Sequence, residues 1–254
     1  MRKNTILVIN PKNKNIIKAI FNALVINMLD IIILGNRLEI SKLCEEVNLN
    51  VDLLQIIECE TEQKVCQRLN HYKNYKNIKG IIFDDFREDK IIDIFNYNNI
   101  CQLIDFGIFK KSVFVVKNTV EINLKRCIIE TIKLIEQLKI NSLNVGVISL
   151  DKQRAVMKKK WLKKEFKFRN IDIIEINKIK KCKHNLIIFD DKILENEYIC
   201  KIKTMVLPRT VQIKKASNVL IFDAKDLEFK NIFIQLVLLS KLTLFNNEIN
   251  SQAV

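Results

Sequence analysis

Thr5-Ile6-Leu7-Val8-Ile9, cut off by Asn10-Pro11, is the stretch that decides the fold. Five strand-forming residues end abruptly at a pair that cannot continue a strand. Beyond that pair the hydrophobic period switches. Ile16, Ile17, Ile20, Phe21 and Leu24 fall at helical spacing, which predicts a helix from about Asn13 to Asn27. The same strand-then-helix unit repeats three more times. The strands are predicted at Asp30 to Leu34, Leu54 to Cys59 and Ile78 to Phe83. The helices are predicted at Glu39 to Val47, from Thr61 to Leu69, and at Asp89 to Phe95. Four such units in a row argue for a mostly parallel sheet with helices on both faces.

The pattern then changes. Cys101 to Ile108 and Ser112 to Val116 read as two strands joined by Phe109-Lys110-Lys111, a gap suited to a hairpin. A domain boundary is therefore expected near Asn98, with residues 1–98 forming one α/β domain and 99–254 a second. In the second, a long helix is predicted from Asn123 to Leu138, a strand at Val145 to Leu150 and a basic helix from Gln153 to Phe168. Short strands are predicted at Asp172 to Ile176, Leu186 to Phe189, Thr204 to Leu207 and Val219 to Phe222, before a closing helix from Leu227 to Phe245.

The composition narrows the chemistry. The chain has 254 residues and only four glycines, Gly35, Gly80, Gly107 and Gly146, no two of them in one loop. Loops that wrap a phosphate use glycine to reach positive φ and to let the backbone approach the ligand. Here is an enzyme-like scaffold without such loops. The net charge of +14 comes from lysines spread along the chain, in an Ile-, Asn- and Lys-rich composition, rather than from one block. Cys44, Cys59, Cys66, Cys101, Cys127, Cys182 and Cys200 form no C-x-x-C pair, and several of them lie in apolar runs. They are expected to be small core residues in a reduced, cytoplasmic setting. His71 and His184 are too few for a histidine metal site or a Ser-His-Asp triad. No run is long and apolar enough to span a membrane.

The order of elements and several short stretches resemble the phosphate acetyl-/butyryltransferase family. The family's Pro-Ile-Leu-Val-Gly strand is similar to Ile31-Ile32-Ile33-Leu34-Gly35. Its Met-Lys-Gly resembles Ile78-Lys79-Gly80, and its Leu-Ser-His-Val strand resembles Gln102 to Gly107. Asn144 to Ile148 and Ser217 to Phe222 are similar to two later strands, and Asp226-Leu227-Glu228 with Asn231 to the family's Asp-Leu-Glu and Asn. The resemblance runs from about Asn4 to Leu242. It implies two three-layer α/β/α domains with mostly parallel sheets around a cleft, like isocitrate and isopropylmalate dehydrogenases. It also implies a homodimer and transfer of an acyl group between coenzyme A and inorganic phosphate. Lys79, Gly80 and Arg209 are the residues it offers for binding a phosphate or a coenzyme A thioester. It offers no catalytic residue, because the family's Ser-Arg-x-Asp motif has no counterpart in these residues. Asn246 to Val254 hold neither arginine nor aspartate, so the family's C-terminal return to the first domain is expected to be missing. The expected protein is a catalytically impaired relative that binds or regulates.

Three further groups are candidates, and the first two carry two readings each. Asp84, Asp85 and Asp89 come after one strand and Asp190 and Asp191 after another; they either hold a divalent cation or cap the next helix, and capping is the expectation. Lys158 to Lys167 surround Trp161, Leu162, Phe166 and Phe168, which suits RNA, an anionic membrane or the phosphates of coenzyme A, or else a surface helix whose aromatics pack on the sheet, which is the expectation. Arg209, after Pro208, suits an anion in a loop. An active but divergent acyltransferase, with Lys79 or Arg209 supplying charge, stays open.

Overall fold

The computed structural model describes residues 5–96, 98–105, 112–116, 121–138, 143–149, 151–168, 170–174, 184–189, 209–216 and 219–251. The chain divides into two compact units: residues 1–99 with 213–254, and residues 100–212.

In the first unit, strands β1 (Thr5–Ile9), β2 (Asp30–Gly35), β3 (Gln55–Glu58) and β4 (Ile78–Phe83) alternate with helices α1 (Lys14–Val25), α2 (Arg37–Glu46), α3 (Glu62–Tyr72) and α4 (Glu88–Phe95). β1 pairs in parallel with β2 and β4, and β2 with β3. Every residue of β1 is buried, as a central strand covered on both faces must be. Leu7 and Ile9 join Val65 and Leu69 of α3 and Ile91 and Ile94 of α4 in one core cluster. Ile6 and Val8 point the other way because strand side chains alternate.

The second unit is built from β5 (Asn98–Asp105), β6 (Ser112–Val116), α5 (Glu121–Gln137), β7 (Val145–Ile148), α6 (Lys152–Phe166), β8 (Ile171–Ile173) and β9 (Leu186–Phe189). β5 and β6 are antiparallel, as expected of two strands so close in sequence. The turn at 109–111 and the strand expected at 204–207 lie outside the described residues. β6, β9, β7 and β8 run parallel in that order.

The C-terminal segment corrects the expected domain plan. Residues 213–254 belong to the first unit, not to the second. β11 (Val219–Asp223) pairs in parallel with β4, placing Leu220 opposite Gly80 and Asp223 opposite Phe83. The final helix α7 (Phe229–Ser251) contacts α1 and β4. The return to the first unit is therefore present. Local periodicity finds a strand but not its neighbours, so a segment that rejoins a sheet after an inserted unit looks like a continuation of that unit. β10 (Arg209–Ala216), antiparallel to β11, is absent from the sequence expectations. Lys214 and Lys215 disguise it, and Lys214 is buried there against Glu88 with Nζ to Oε1 at 2.6 Å.

The scarcity of glycine has a structural answer. Asn10, Asn27, Asn48 and Asn96 adopt φ between 43° and 54°. Asparagine tolerates the left-handed region better than other side-chain-bearing residues, so it takes the turns that glycine usually fills. Among the described residues no helix is long and apolar enough to cross a membrane.

Candidate functional site

In a parallel sheet the chain leaves β1 to one side and returns to β4 on the other, and ligands bind where these directions diverge, beyond the carboxyl ends of the strands. The first unit orders its strands β3-β2-β1-β4-β11, so that point lies between the loops after β1 and β4. β1 ends at Asn10, whose φ of 43° turns the chain toward α1. β4 ends at Asp84 and Asp85, whose backbone N–H groups donate to the carbonyls of Ile9 and Asn10, both at 3.2 Å. The Asn10 side chain donates back to the Asp85 carbonyl at 3.2 Å.

Asp84 lies at this edge, against the segment that leads into α1. Its side chain is buried at 6% exposure, and Oδ2 accepts from the backbone N–H groups of Lys12 at 2.8 Å and Asn13 at 2.9 Å. Asn13 is the N-cap of α1; its Oδ1 accepts from Asn15 N–H and its Nδ2 donates to the Leu227 carbonyl at 3.0 Å. The sequence expectation is that the aspartates cap the helix next in the chain. Asp84 instead serves the start of α1, because the parallel pairing of β1 with β4 brings both loops to the same edge. Asp89 does sit in the first turn of α4, paired there with Arg87. Asp190 and Asp191 lie outside the described residues.

Burial pushes the Asp84 carboxyl up from its ordinary pKa; the two backbone donors pull it down, and the charges of Asp85 and Asp226 push it up again. A phosphate approaching this edge would have to displace one carboxylate in the presence of two more. The neighbouring helix adds two buried acceptors. Asn231 Oδ1 and Gln235 Oε1, one turn apart on α7, are buried, and no donor among the described residues reaches them. Gln235 uses its Nε2 to donate to the Asp223 carbonyl at 3.3 Å. Periodicity marks these positions as helix and gives no sign that their amides are buried.

The predicted binding residues do not gather here. Lys79 and Gly80 lie toward the amino-terminal end of β4, away from Asp84. Thr5 stands opposite Ile78 and Ile6 opposite Gly80, so Lys79 is the extra residue of a bulge, half-buried. Gly80 has a packing reason: a Cβ there would lie 2.5 Å from Cδ2 of Leu239 in α7. Arg209 is the first residue of β10, and its side chain lies outside the described residues.

The described cysteines are poor nucleophiles. Cys44, Cys59, Cys101 and Cys127 are buried and Cys66 partly so. Burial pushes the Cys101 thiol up to about 12, with the hydrogen bond to Thr131 opposing the shift. Among the described residues no three His, Cys, Asp or Glu side chains are grouped to hold a metal ion.

No protein-family model matches the chain, and no curated protein matches it by sequence. Solved structures do. A branched-chain phosphotransacylase from Enterococcus faecalis V583 matches with a TM-score of 0.68 at 7% identity, over 94% of this chain and 99% of that one. The EutD phosphotransacetylase from Staphylococcus aureus gives 0.64 at 12% identity, over 94% of both chains. A phosphotransacetylase from Streptococcus pyogenes gives 0.65 at 11% identity, over 96% of this chain and 94% of that one. Identities this low speak to architecture alone, and the architecture is plain: the chain has the fold of the phosphotransacylases.

Proposed function

We infer that this protein is a phosphotransacylase-like binding protein that has lost the transfer of acyl groups between coenzyme A and phosphate. One observation carries the reading. The helix N-terminus at the carboxyl edge of the first unit, which in α/β proteins is well placed to receive an anion, already holds the chain's own Asp84 carboxylate. The sequence supports it, since no Ser-Arg-x-Asp segment occurs in the 254 residues. That transfer needs positive charge on the phosphate and on the acyl oxygen as it becomes anionic. Asp84, Asp85 and Asp226 supply the opposite sign at this edge. An acyl-CoA remains the ligand to test, and assembly as a homodimer belongs to the same reading.

The test pairs turnover with binding. Acetyl-CoA or butyryl-CoA is incubated with inorganic phosphate, and acyl phosphate is trapped with hydroxylamine. No product above the uncatalysed background is expected, while calorimetry with the same thioesters detects a stoichiometric site. Turnover at a rate ordinary for enzymes, about 1 per second or faster, overturns the loss of chemistry. Absence of any thioester binding overturns the binding role.

A further inference from the structure

The loops after β4 and β11 bring three carboxylates to one edge of the first unit. Asp84 is buried, Asp85 and Asp226 are exposed, and the charges of Asp85 and Asp226 both act on the Asp84 carboxyl. The chain has 43 Lys and Arg against 29 Asp and Glu, so a carboxylate on its surface readily meets a cation. Among the described residues these three nevertheless have no ion pair with a lysine, arginine or histidine. A cluster of like charge left uncompensated draws cations from solution.

A second observation comes from α7. Asn231 Oδ1 and Gln235 Oε1 are buried and have no hydrogen-bond donor among the described residues. Gln235 is only 2% exposed. Exchanging its amide oxygen and nitrogen gives no relief, because Nε2 is needed at the Asp223 carbonyl, 3.3 Å away. A buried acceptor without a donor is costly, so such an atom points to a group that completes it. Packing places the pair at the acidic edge. Leu239 lies against Gly80, where a Cβ would meet its Cδ2 at 2.5 Å. Gln235 and Asn231 stand four and eight residues earlier on the same helix. The helix starts beside the edge, since Asn13 donates from its side chain to the Leu227 carbonyl at 3.0 Å and from its backbone to Asp84. From Leu239 back to Asn231 α7 covers about 12 Å, and from Gly80 to Asp84 β4 covers about 13 Å. The two amides therefore lead down the sheet face to the level of Asp84.

We propose that this edge binds an aliphatic polyamine, whose primary ammonium groups donate to the Asn231 and Gln235 amide oxygens while Asp84, Asp85 and Asp226 balance their charge. A metal ion fits less well. Among the described residues no three His, Cys, Asp or Glu side chains are grouped to hold one, and the atoms left without partners are neutral amide oxygens. A primary ammonium is a compact charge with three N–H donors, which is what unpaired acceptors beside carboxylates require. A polyamine also spaces its charges along a chain, as the acids here are spaced over two loops. Asn231 is half-buried and Asp226 exposed, so the approach is from the solvent side. Binding of this kind neither requires nor excludes a thioester elsewhere on the chain.

The full chain is titrated with spermidine by calorimetry, and its thermal melt is followed with spermidine, tetramethylammonium chloride, magnesium chloride and sodium chloride at matched ionic strength. Spermidine is expected to bind and to raise Tm. Tetramethylammonium carries the charge without an N–H donor, and it should do neither, like the two metal salts. Affinity for spermidine should fall as sodium chloride is added, because the carboxylates at the rim are exposed. Gln235→Met removes the buried acceptor and should weaken spermidine roughly tenfold, the value of a hydrogen bond to a charged group. Asp226→Asn changes only an exposed charge and should weaken it roughly threefold. Circular dichroism verifies that both variants fold, and Asp226→Asn carries the test alone if Gln235→Met does not. Three results overturn the proposal: no binding of spermidine, equal stabilisation by tetramethylammonium or magnesium, or spermidine affinity unchanged in the folded variants.

Discussion

The Asp84 carboxylate and the Asn13 backbone N–H meet at 2.9 Å, across 71 residues of chain, where β1 gives way to α1. With Lys12 N–H bonded to the same oxygen, the N-cap residue of α1 and the residue before it both have their backbone donors satisfied by one buried carboxylate. Asp84→Ala should therefore lower stability by about 1–3 kcal/mol, the cost of leaving buried donors unpaired. Asp84→Asn keeps an acceptor oxygen and should cost less. Urea denaturation of the two variants measures the difference; equal losses would assign the effect to side-chain volume.

The same group gives a pH prediction of unusual sign. Burial holds the folded-state pKa of Asp84 above its ordinary value. Between the two values the folded chain binds more protons than the unfolded chain, so stability from this group is full below about pH 4 and declines as pH rises through the shifted value. Most acidic groups do the reverse. The stability difference between the wild type and Asp84→Asn should shrink in favour of the variant as pH rises across that window. A difference that grows with pH would mean that the two backbone donors outweigh desolvation.

Gly80 and Leu239 are matched in size. A methyl group at Gly80 would sit 2.5 Å from Leu239 Cδ2 and 2.7 Å from Cδ1, and Leu239 is itself 1% exposed. Gly80→Ala should cost about 1–3 kcal/mol as overpacking. Combined with Leu239→Ala, the two losses should add to less than their sum, since the second substitution makes room for the first. If Gly80 served a ligand instead, stability would hold and thioester binding alone would fall.

The first four strand-and-helix units and the antiparallel β5–β6 pair were legible in the sequence because each is encoded within a few residues. Ile16, Ile17 and Ile20 announce α1, and Asn10-Pro11 announces the end of β1. The illegible part depends on partners far along the chain. Asp84 looks like a cap for α4 until β1 and β4 pair, Lys214 looks like loop until Glu88 covers it, and residues 213–254 look like part of the second unit until β11 meets β4. The candidate site was legible only as a cluster of acids after a strand. Its charge could be counted; which helix it served could not.

Lys214 and Glu88 give a test of that long-range contact. The lysine side chain is 9% exposed and the glutamate 45%, and Nζ also stands 5.5 Å from the Phe83 ring centroid. Removing the carboxylate takes the Glu88 contact away from a buried ammonium, whereas removing the ammonium leaves a half-exposed carboxylate that water can solvate. Glu88→Gln should cost about 1–3 kcal/mol, below the full value for a buried pair because Glu88 is partly solvated. Lys214→Met should cost under about 1 kcal/mol. Thermal melts of both variants decide it, and a larger loss from Lys214→Met would show that the cation–ring contact dominates.

Asn96 tests the substitution of asparagine for glycine in tight turns. It closes α4 with φ 47° and ψ 57°, and its N–H donates to the Ile92 carbonyl at 2.7 Å. The backbone alone demands this conformation, so glycine should serve as well or better, and Asn96→Gly should change stability by less than about 1 kcal/mol. Asn96→Val forces a β-branched side chain into the left-handed region and should cost at least about 1–2 kcal/mol. Denaturant midpoints for both variants make the comparison. Should Asn96→Gly lose as much as Asn96→Val, the asparagine side chain, rather than its backbone freedom, would be what the turn requires.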